Sequence, residues 1–261
     1  MLKSIWIEGS TLDDVWFKLL LKCYESGRIN KITDGSFAGS KRLEFDYVAG
    51  TIYQPTTRPL APIMPSNTPP VTTDEKIEEY FVNYLMDGRN LADNEHYRYS
   101  TWVTGGPYKI PEFQHANTEE QEVLAGYWVN VPNQFQWCID HYKKKGFGNN
   151  HCYIQVGYPE SSFAYDIPWK DESERQTSPC LRGIDTHIKK VGDSWKLCFA
   201  VVFRSWDLFA GWPENMGGIT MLMEFMANEL GVEVGSLSFA SLKCHTYDYC
   251  IEPLKGRLGK I

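Results

Sequence analysis

Residues 204–215 read RSWDLFAGWPEN and lead directly into MGGITMLMEFMANEL at 216–230. The second segment is apolar nearly all round, the pattern of a helix buried at the centre of a protein rather than laid on its surface. Gly231 supplies its stop. On the N-terminal side, residues 183–190 and 196–203 are strand-like runs on either side of Gly192-Asp193, a hairpin pattern. On the C-terminal side, 237–249 is again strand-like. Strands mixed with helices, without a regular strand–helix–strand rhythm, imply an α+β fold with a large mixed sheet covered by helices.

The same criteria extend outward. Thr11, with Asp14 three residues on, opens a helix close to a capping box. Val15, Leu19, Leu20 and Cys23 then recur at helical spacing until Gly27. Leu43, Phe45, Tyr47 and Ala49 alternate with polar or small residues, which makes 43–54 one strand. Residues 76–85 form a short helix, 152–157 a strand, and 119–145 a pair of helices interrupted near Pro132. Loops are expected at 103–117 and 159–179. Residues 55–73 hold six prolines, but both flanks look equally structured. This stretch is therefore a surface loop or internal lid, and 1–261 is expected to be a single domain.

Composition narrows the function. A net charge of −7 excludes a general nucleic-acid binder, because phosphate affinity comes from Lys and Arg. No run approaches the roughly 20 apolar residues of a spanning helix, and no export signal opens the chain, so no membrane partner is expected. The seven cysteines are odd in number and none sits at CxxC spacing, against a disulfide framework or a structural zinc site. A cytoplasmic protein without a metal is the expectation.

Cys180 follows Pro179 at the end of the polar loop and the start of a strand. A lone cysteine is commonly a small buried apolar residue. Here the hairpin changes its meaning, because the start of one antiparallel strand lies beside the end of the next. Arg204 therefore falls near Cys180, and a guanidinium beside a thiol lowers its pKa and favours the nucleophilic thiolate.

The segment 204–215, with its Arg-Ser-x-Asp, Gly and Asn before a long apolar helix, resembles the thymidylate synthases. Pro179-Cys180 upstream and Cys244-His245-Thr246-Tyr247 downstream match in order and approximate spacing. The resemblance covers residues 177–249, and its Trp-Pro-x-Asn and Glu-Leu-Gly-Val-Glu-Val-Gly runs look like archaeal and phage-type members. It implies a thymidylate synthase-like fold, a homodimer, a nucleotide monophosphate substrate, and 5,10-methylenetetrahydrofolate or a related pterin as one-carbon donor. Cys180 would attack C6 of the pyrimidine and make C5 a carbon nucleophile. Arg204 and Ser205 would bind the substrate phosphate, and Asp207 would hold the pterin. Asn215 would pair with N3–H and O4 of uracil, since a carboxamide both donates and accepts. It is also placed to cap the helix. His245 and Tyr247, two apart on one strand face, would contact the sugar hydroxyl. Glu79 resembles the glutamate of a proton relay at the base carbonyl, and Tyr99 the tyrosine that helps remove the C5 proton.

The pattern departs in two places. The family's partner-subunit arginine pair should fall near residues 148–151, where this chain has Gly-Asn-Asn-His, leaving His151 or Arg98 as substitutes. A tryptophan that shields the exocyclic carbon should precede Tyr99, but 87–99 contains none. Without that shield, water can replace hydride and the product becomes hydroxymethyl. Three alternatives to a uracil-nucleotide methyltransferase therefore stay open. They are a pyrimidine nucleotide hydroxymethyltransferase, an inactive nucleotide-binding relative, and a cysteine hydrolase using Cys180, His245 and an Asp. The last leaves Arg204 and Asn215 unexplained.

Overall fold

The computed structural model describes residues 3–34, 37–66, 68–87, 97–110, 128–166 and 177–260. In chain order the elements are β1 (Ser4–Gly9), α1 (Leu12–Ser26), β2 (Arg28–Lys31), β3 (Lys41–Glu44), β4 (Tyr47–Ile52), α2 (Asp74–Tyr80) running into a π-helical turn (Phe81–Met86), α3 (Ser100–Val103), β5 (Gly106–Lys109) and β6 (Trp128–Val131). Then follow α4 (Gln134–Lys145), β7 (Tyr153–Gln155), a 3₁₀ segment (Pro159–Asp166), β8 (Leu181–Val191), β9 (Ser194–Phe203), β10 (Trp206–Asp207), α5 (Gly211–Leu230), β11 (Glu233–Ser241), β12 (Cys244–Tyr247) and α6 (Ile251–Arg257). Helices and strands are thus mixed along the chain, an α+β arrangement.

The hairpin β8–β9 turns at Gly192-Asp193 and runs in antiparallel register from Val191↔Ser194 to Leu181↔Phe203. It sits inside a six-stranded mixed sheet of order β1-β4-β11-β9-β8-β7. Helix α5 lies against this sheet with Trp212, Met216, Ile219, Leu222, Met223 and Met226 fully buried. Its apolar surface is covered by α1, α2, α4 and the strands β9 and β11, while Phe225, Asn228 and Glu229 toward its C-terminal end face solvent. Thr11 caps α1 by accepting the Asp14 N–H, as the sequence indicates.

Two expected long strands are each broken. Residues 43–54 divide into β3 and β4, and 237–249 into β11 and β12. The two halves enter different sheets, because β3 and β12 belong to a four-stranded sheet of order β10-β12-β3-β2. The register nevertheless carries straight across the break. Ser241 pairs with Val48 and His245 with Glu44, while Phe45 N–H donates to the Cys244 carbonyl between them. Asp46, held by the Lys3 N–H and Arg28, and the exposed Leu242-Lys243 mark the bend. The bend opens the ladder so that β10 can pair in parallel with β12, setting Trp206 beside Cys244 and Asp207 beside His245. Alternation of residue type is blind to such a bend, because side chains on both sides of it keep the same two-residue period.

Other expectations are corrected as well. The second half of the 76–85 helix is a π turn, which accommodates one residue more than an α-helical path. Of the expected helix pair at 119–145, the C-terminal member is α4, residues 128–131 are strand, and 119–127 lie outside the described residues. The parts of the expected loops at 111–117 and 167–176 are likewise outside them. Helix α5 begins at Gly211 after Ala210, so Asn215 lies within its second turn and is not its cap.

Where α2 crosses α5 the backbones approach through Gly217 and Gly218. A Cβ on Gly218 would stand 2.5 Å from Tyr80 Cδ1, and one on Gly217 2.8 Å from Ile77. This contact presses Tyr80 onto α5. In a Gly218→Ala variant, overpacking of about 1–3 kcal/mol should outweigh the gain of about 1 kcal/mol in helix propensity. The expected outcome is a lower urea midpoint with an unchanged slope, measured by equilibrium unfolding.

Candidate active site around Cys180

The end of β9 delivers Arg204 to Cys180 through the backbone. Arg204 N–H donates to the Cys180 carbonyl at 2.9 Å, continuing the β8–β9 ladder by one step. The guanidinium then folds back along the loop before β8. Its Nε donates to the Pro179 carbonyl at 3.0 Å and Nη2 to the Ser178 carbonyl at 2.6 Å, and Nη2 stands 3.8 Å from Cys180 Sγ. Tyr165 closes the other side, its hydroxyl bonded to Nη2 and its ring 5.2 Å from the guanidinium carbon. Cys180, Arg204, Ser205 and Tyr247 line one cavity of about 390 Å³, together with Tyr97, Tyr165, Thr177, Ser178 and Arg42. Four residues singled out in the sequence thus meet at one site.

The charge state of the thiol departs from expectation. A guanidinium about 4 Å away favours a thiolate by roughly 4 kcal/mol at an effective dielectric of about 20. Removing an ion from water costs several kcal/mol in the other direction. Here burial prevails and pushes the Cys180 thiol above its usual range, while Arg204, then Arg182 and a hydrogen bond from Tyr97 pull it down. Arg204 therefore moderates the thiol without making it acidic.

The remaining sequence-derived residues stand behind or beside the cavity. Tyr99 is buried under Tyr97, with ring centroids 5.9 Å apart, and its oxygen accepts the Leu181 N–H at 3.2 Å, one residue from Cys180. Burial raises its pKa well above the usual tyrosine value, so it is a neutral phenol. Asn215 has both ends of its carboxamide engaged. Its Oδ1 accepts from Trp206 Nε1 at 3.0 Å and its Nδ2 donates to the Tyr80 hydroxyl at 3.0 Å. That leaves one acceptor lone pair and one N–H, in a fixed orientation. Asp207 accepts the Phe209 N–H at 3.0 Å and the Ala210 N–H at 3.4 Å, the bonds of a turn aspartate, and burial raises its pKa. His245 is buried, with Nδ1 2.8 Å from the Lys243 carbonyl, and its Nε2 has no partner. Burial depresses its pKa, so the ring is neutral and Nδ1 carries the hydrogen. Tyr247 meets it edge-on at 4.8 Å and is held protonated by burial, its pKa pushed up to about 12.

Glu79 is not brought to this cavity. It is exposed and lines a second hollow of about 290 Å³ with Lys76, Tyr80, Asn83, Tyr84, Arg98 and Glu214. A relay of tyrosine rings joins the two spaces: Tyr80 stacks on Tyr84 at 5.1 Å, Tyr84 meets Tyr99 edge-on at 5.1 Å, and Tyr99 leans on Tyr97. Neither expected substitute for the arginine pair lines the Cys180 cavity of its own chain. Arg98 belongs to the second hollow, and His151 is exposed and bonded to His141 at 3.0 Å. Sequence reasoning also passed over Tyr97, Tyr165 and Arg182. Tyr97 and Arg182 each stand two positions from a residue already chosen, Tyr99 and Cys180, and that spacing was the available signal.

Comparison with known proteins gives a consistent picture. Residues 164–260 match the family model described as thymidylate synthase. A protein of Methanosarcina mazei named "Putative thymidylate synthase" is 24% identical over 245 residues, spanning 93% of this chain and 89% of the relative. A protein of the same name from Methanothermobacter marburgensis is 30% identical over 91 residues, 34% of this chain and 39% of the relative. A thymidylate synthase of Corynebacterium aurimucosum is 37% identical over 65 residues, 25% of this chain and 24% of the relative.

Two outcomes test the electrostatics. Alkylation of Cys180 by iodoacetamide, followed by mass spectrometry, should keep accelerating as pH rises through 9, the ordinary thiol value. In Arg204→Gln the curve should move to still higher pH, because the lost cation favoured the thiolate. Separately, His245 is neutral when folded but protonates when unfolded below about pH 6.5. Its stabilising contribution is complete above that pH and is lost as pH falls toward the depressed folded value, by at most about 1.4 kcal/mol per pH unit. Urea unfolding at pH 7.5 and 5.5 should show a smaller drop for His245→Gln than for the unaltered protein.

Proposed function

This chain belongs to the thymidylate synthase family, and its matches include archaeal members; from that premise we propose that it adds a one-carbon unit to C5 of a uracil nucleotide, converting dUMP to dTMP. The reading includes a thymidylate synthase-like single domain, a homodimer, and a cytoplasmic location. Among the described residues no helix is long and apolar enough to cross a membrane. The observation that carries the proposal is the Cys180–Arg204 pair, 3.8 Å apart in one cavity with Ser205 and Tyr247.

In this reading Cys180 adds to C6 of the pyrimidine. Burial raises the thiol pKa, and the two nearby arginines lower the cost of the thiolate as the nucleophile forms. Arg204 and Ser205 hold the phosphate at one end of the cavity. Tyr247, protonated at physiological pH, donates to the sugar hydroxyl, and neutral His245 steadies its ring. Asn215 reads the base with its one free acceptor site and one free N–H, which Trp206 and Tyr80 orient. Tyr99, a neutral phenol fixed by the Leu181 N–H, orients a water that takes the C5 proton. Glu79, at the second hollow, joins this relay only through water. Methylenetetrahydrofolate or a related pterin supplies the one-carbon unit when bound. The stacked tyrosines and mixed donors and acceptors of the second hollow fit a heteroaromatic ring, while Asp207, which the resemblance assigns to the pterin, does not line that hollow.

One observation keeps a second reading in place. No tryptophan occurs in 87–99, and Trp102, just beyond, is buried beneath Tyr97 and Tyr108. A less shielded C5 substituent would take up water and leave as hydroxymethyl. An inactive nucleotide-binding relative is the remaining alternative.

Mass spectrometry of products from dUMP, UMP, dCMP and CMP, with absorbance followed for dihydrofolate, separates these readings. A methylated uracil nucleotide with matching dihydrofolate is the expected result, and a hydroxymethyl product without dihydrofolate would replace it by the second reading. Cys180→Ser should lower turnover by roughly a thousandfold or more while nucleotide binding persists. Asn215→Asp should shift preference toward cytosine nucleotides by roughly 10- to 100-fold. It should fold normally, because the Tyr80 hydroxyl can reverse from acceptor to donor.

A further inference from the structure

Strand β8 carries an irregularity two residues after Cys180. Leu181 pairs with Phe203 but Gly183 pairs with Val202, so Arg182 is an extra residue in the ladder. A bulge of this kind re-aims a side chain. Here it returns the half-buried guanidinium toward the loop that precedes Cys180, where Nη2 donates to Ser178 Oγ at 2.7 Å. Space for it exists because residue 157 is glycine, with φ 84°, and a Cβ there would stand 2.9 Å from Arg182 Nη1. The two arginines are close enough that Arg204, after burial itself, lowers the Arg182 pKa.

Among the described residues neither arginine forms an ion pair with an Asp or Glu. Among the described residues, the groups able to carry negative charge that act most on Arg182 are Tyr165, Cys180 and Tyr97, of which Cys180 and Tyr97 have raised pKa values. Two guanidiniums thus converge on a half-buried loop, and among the described residues no carboxylate pairs with either, although Asp34 lines the same cavity. Such a pair repels itself unless an anion with several acceptor oxygens binds between the donors. Ser178 connects the pair. Its carbonyl accepts from Arg204, its Oγ accepts from Arg182, and it lines the Cys180 cavity. An Oγ that accepts from a guanidinium keeps its own hydrogen for an anion in the cavity.

We propose that Arg182, acting through the Ser178 hydroxyl, completes with Arg204 an anion site within one chain for the phosphate of the nucleotide substrate. This rests on the nucleotide reading above and assigns a positioning residue to it. The site then needs no arginine at 148–151, the place where the sequence lacks one.

The test compares dUMP with deoxyuridine by isothermal titration against the full-length protein and Arg182→Gln. Loss of a charge-assisted contact should weaken dUMP binding by roughly 10- to 100-fold and leave the nucleoside unchanged. Arg182→Lys should recover part of the loss, Ser178→Ala should show a smaller one, and the folding midpoint of each variant is measured alongside. Unchanged dUMP affinity in Arg182→Gln overturns the proposal. So does an equal loss for nucleotide and nucleoside, which marks a structural role. Should the unaltered protein bind no pyrimidine nucleotide, the nucleotide reading falls, and inorganic phosphate decides the site. Protection of Cys180 from iodoacetamide by phosphate, lost in Arg182→Gln, sustains it, and absence of protection overturns it.

Discussion

The backbone hydrogen bond from Arg204 N–H to the Cys180 carbonyl, 2.9 Å long, sets the geometry on which the site depends. It extends the β8–β9 ladder past Phe203, so the hairpin register dictates which side chain stands beside the thiol. A slip of one residue would send Arg204 to the opposite sheet face. The register is protected by burial, since Leu181, Ile184, Leu197, Val201 and Phe203 occupy the core and cannot be exchanged for their polar neighbours without loss.

The second constraint is the bend shared by two neighbouring strand pairs. Because β3 and β12 keep the register of β4 and β11 while leaving their sheet, a short strand can enter and carry Asp207 beside His245. The chain then turns directly into α5, whose first turns hold Asn215 against Trp206 and Tyr80. The glycines at 217 and 218 let α2 approach closely enough for that contact. A loop, a strand switch and a helix crossing therefore converge on one carboxamide.

The site also balances opposing electrostatic effects. Burial raises the thiol, the tyrosines and Asp207, while two arginines supply positive charge that no described carboxylate pairs with, and Arg42 joins Asp34 in the cavity lining. A site of this kind is neutral in most of its acids and positive overall, which suits an anionic ligand and a nucleophile that ionises as the reaction proceeds.

What the sequence determined by itself was local and periodic. The capped helix at Thr11, the hairpin around Gly192-Asp193, the buried helix ending at Gly231, and the neighbourhood of Cys180 and Arg204 all follow from spacing and hydrophobic pattern. Tertiary structure decided the rest. The strands at 43–54 and 237–249 divide between sheets because a bend preserves the two-residue period that reveals a strand. Asn215 is a helix-interior residue because α5 begins at Gly211, and its carboxamide is held by Trp206 just before the helix and by Tyr80 from α2. The thiol is not acidic because burial, which no neighbouring residue announces, outweighs a visible arginine. Arg182 bonds to Ser178 where a bulge interrupts the β8 ladder, and a bulge is fixed by the strands packed on either side.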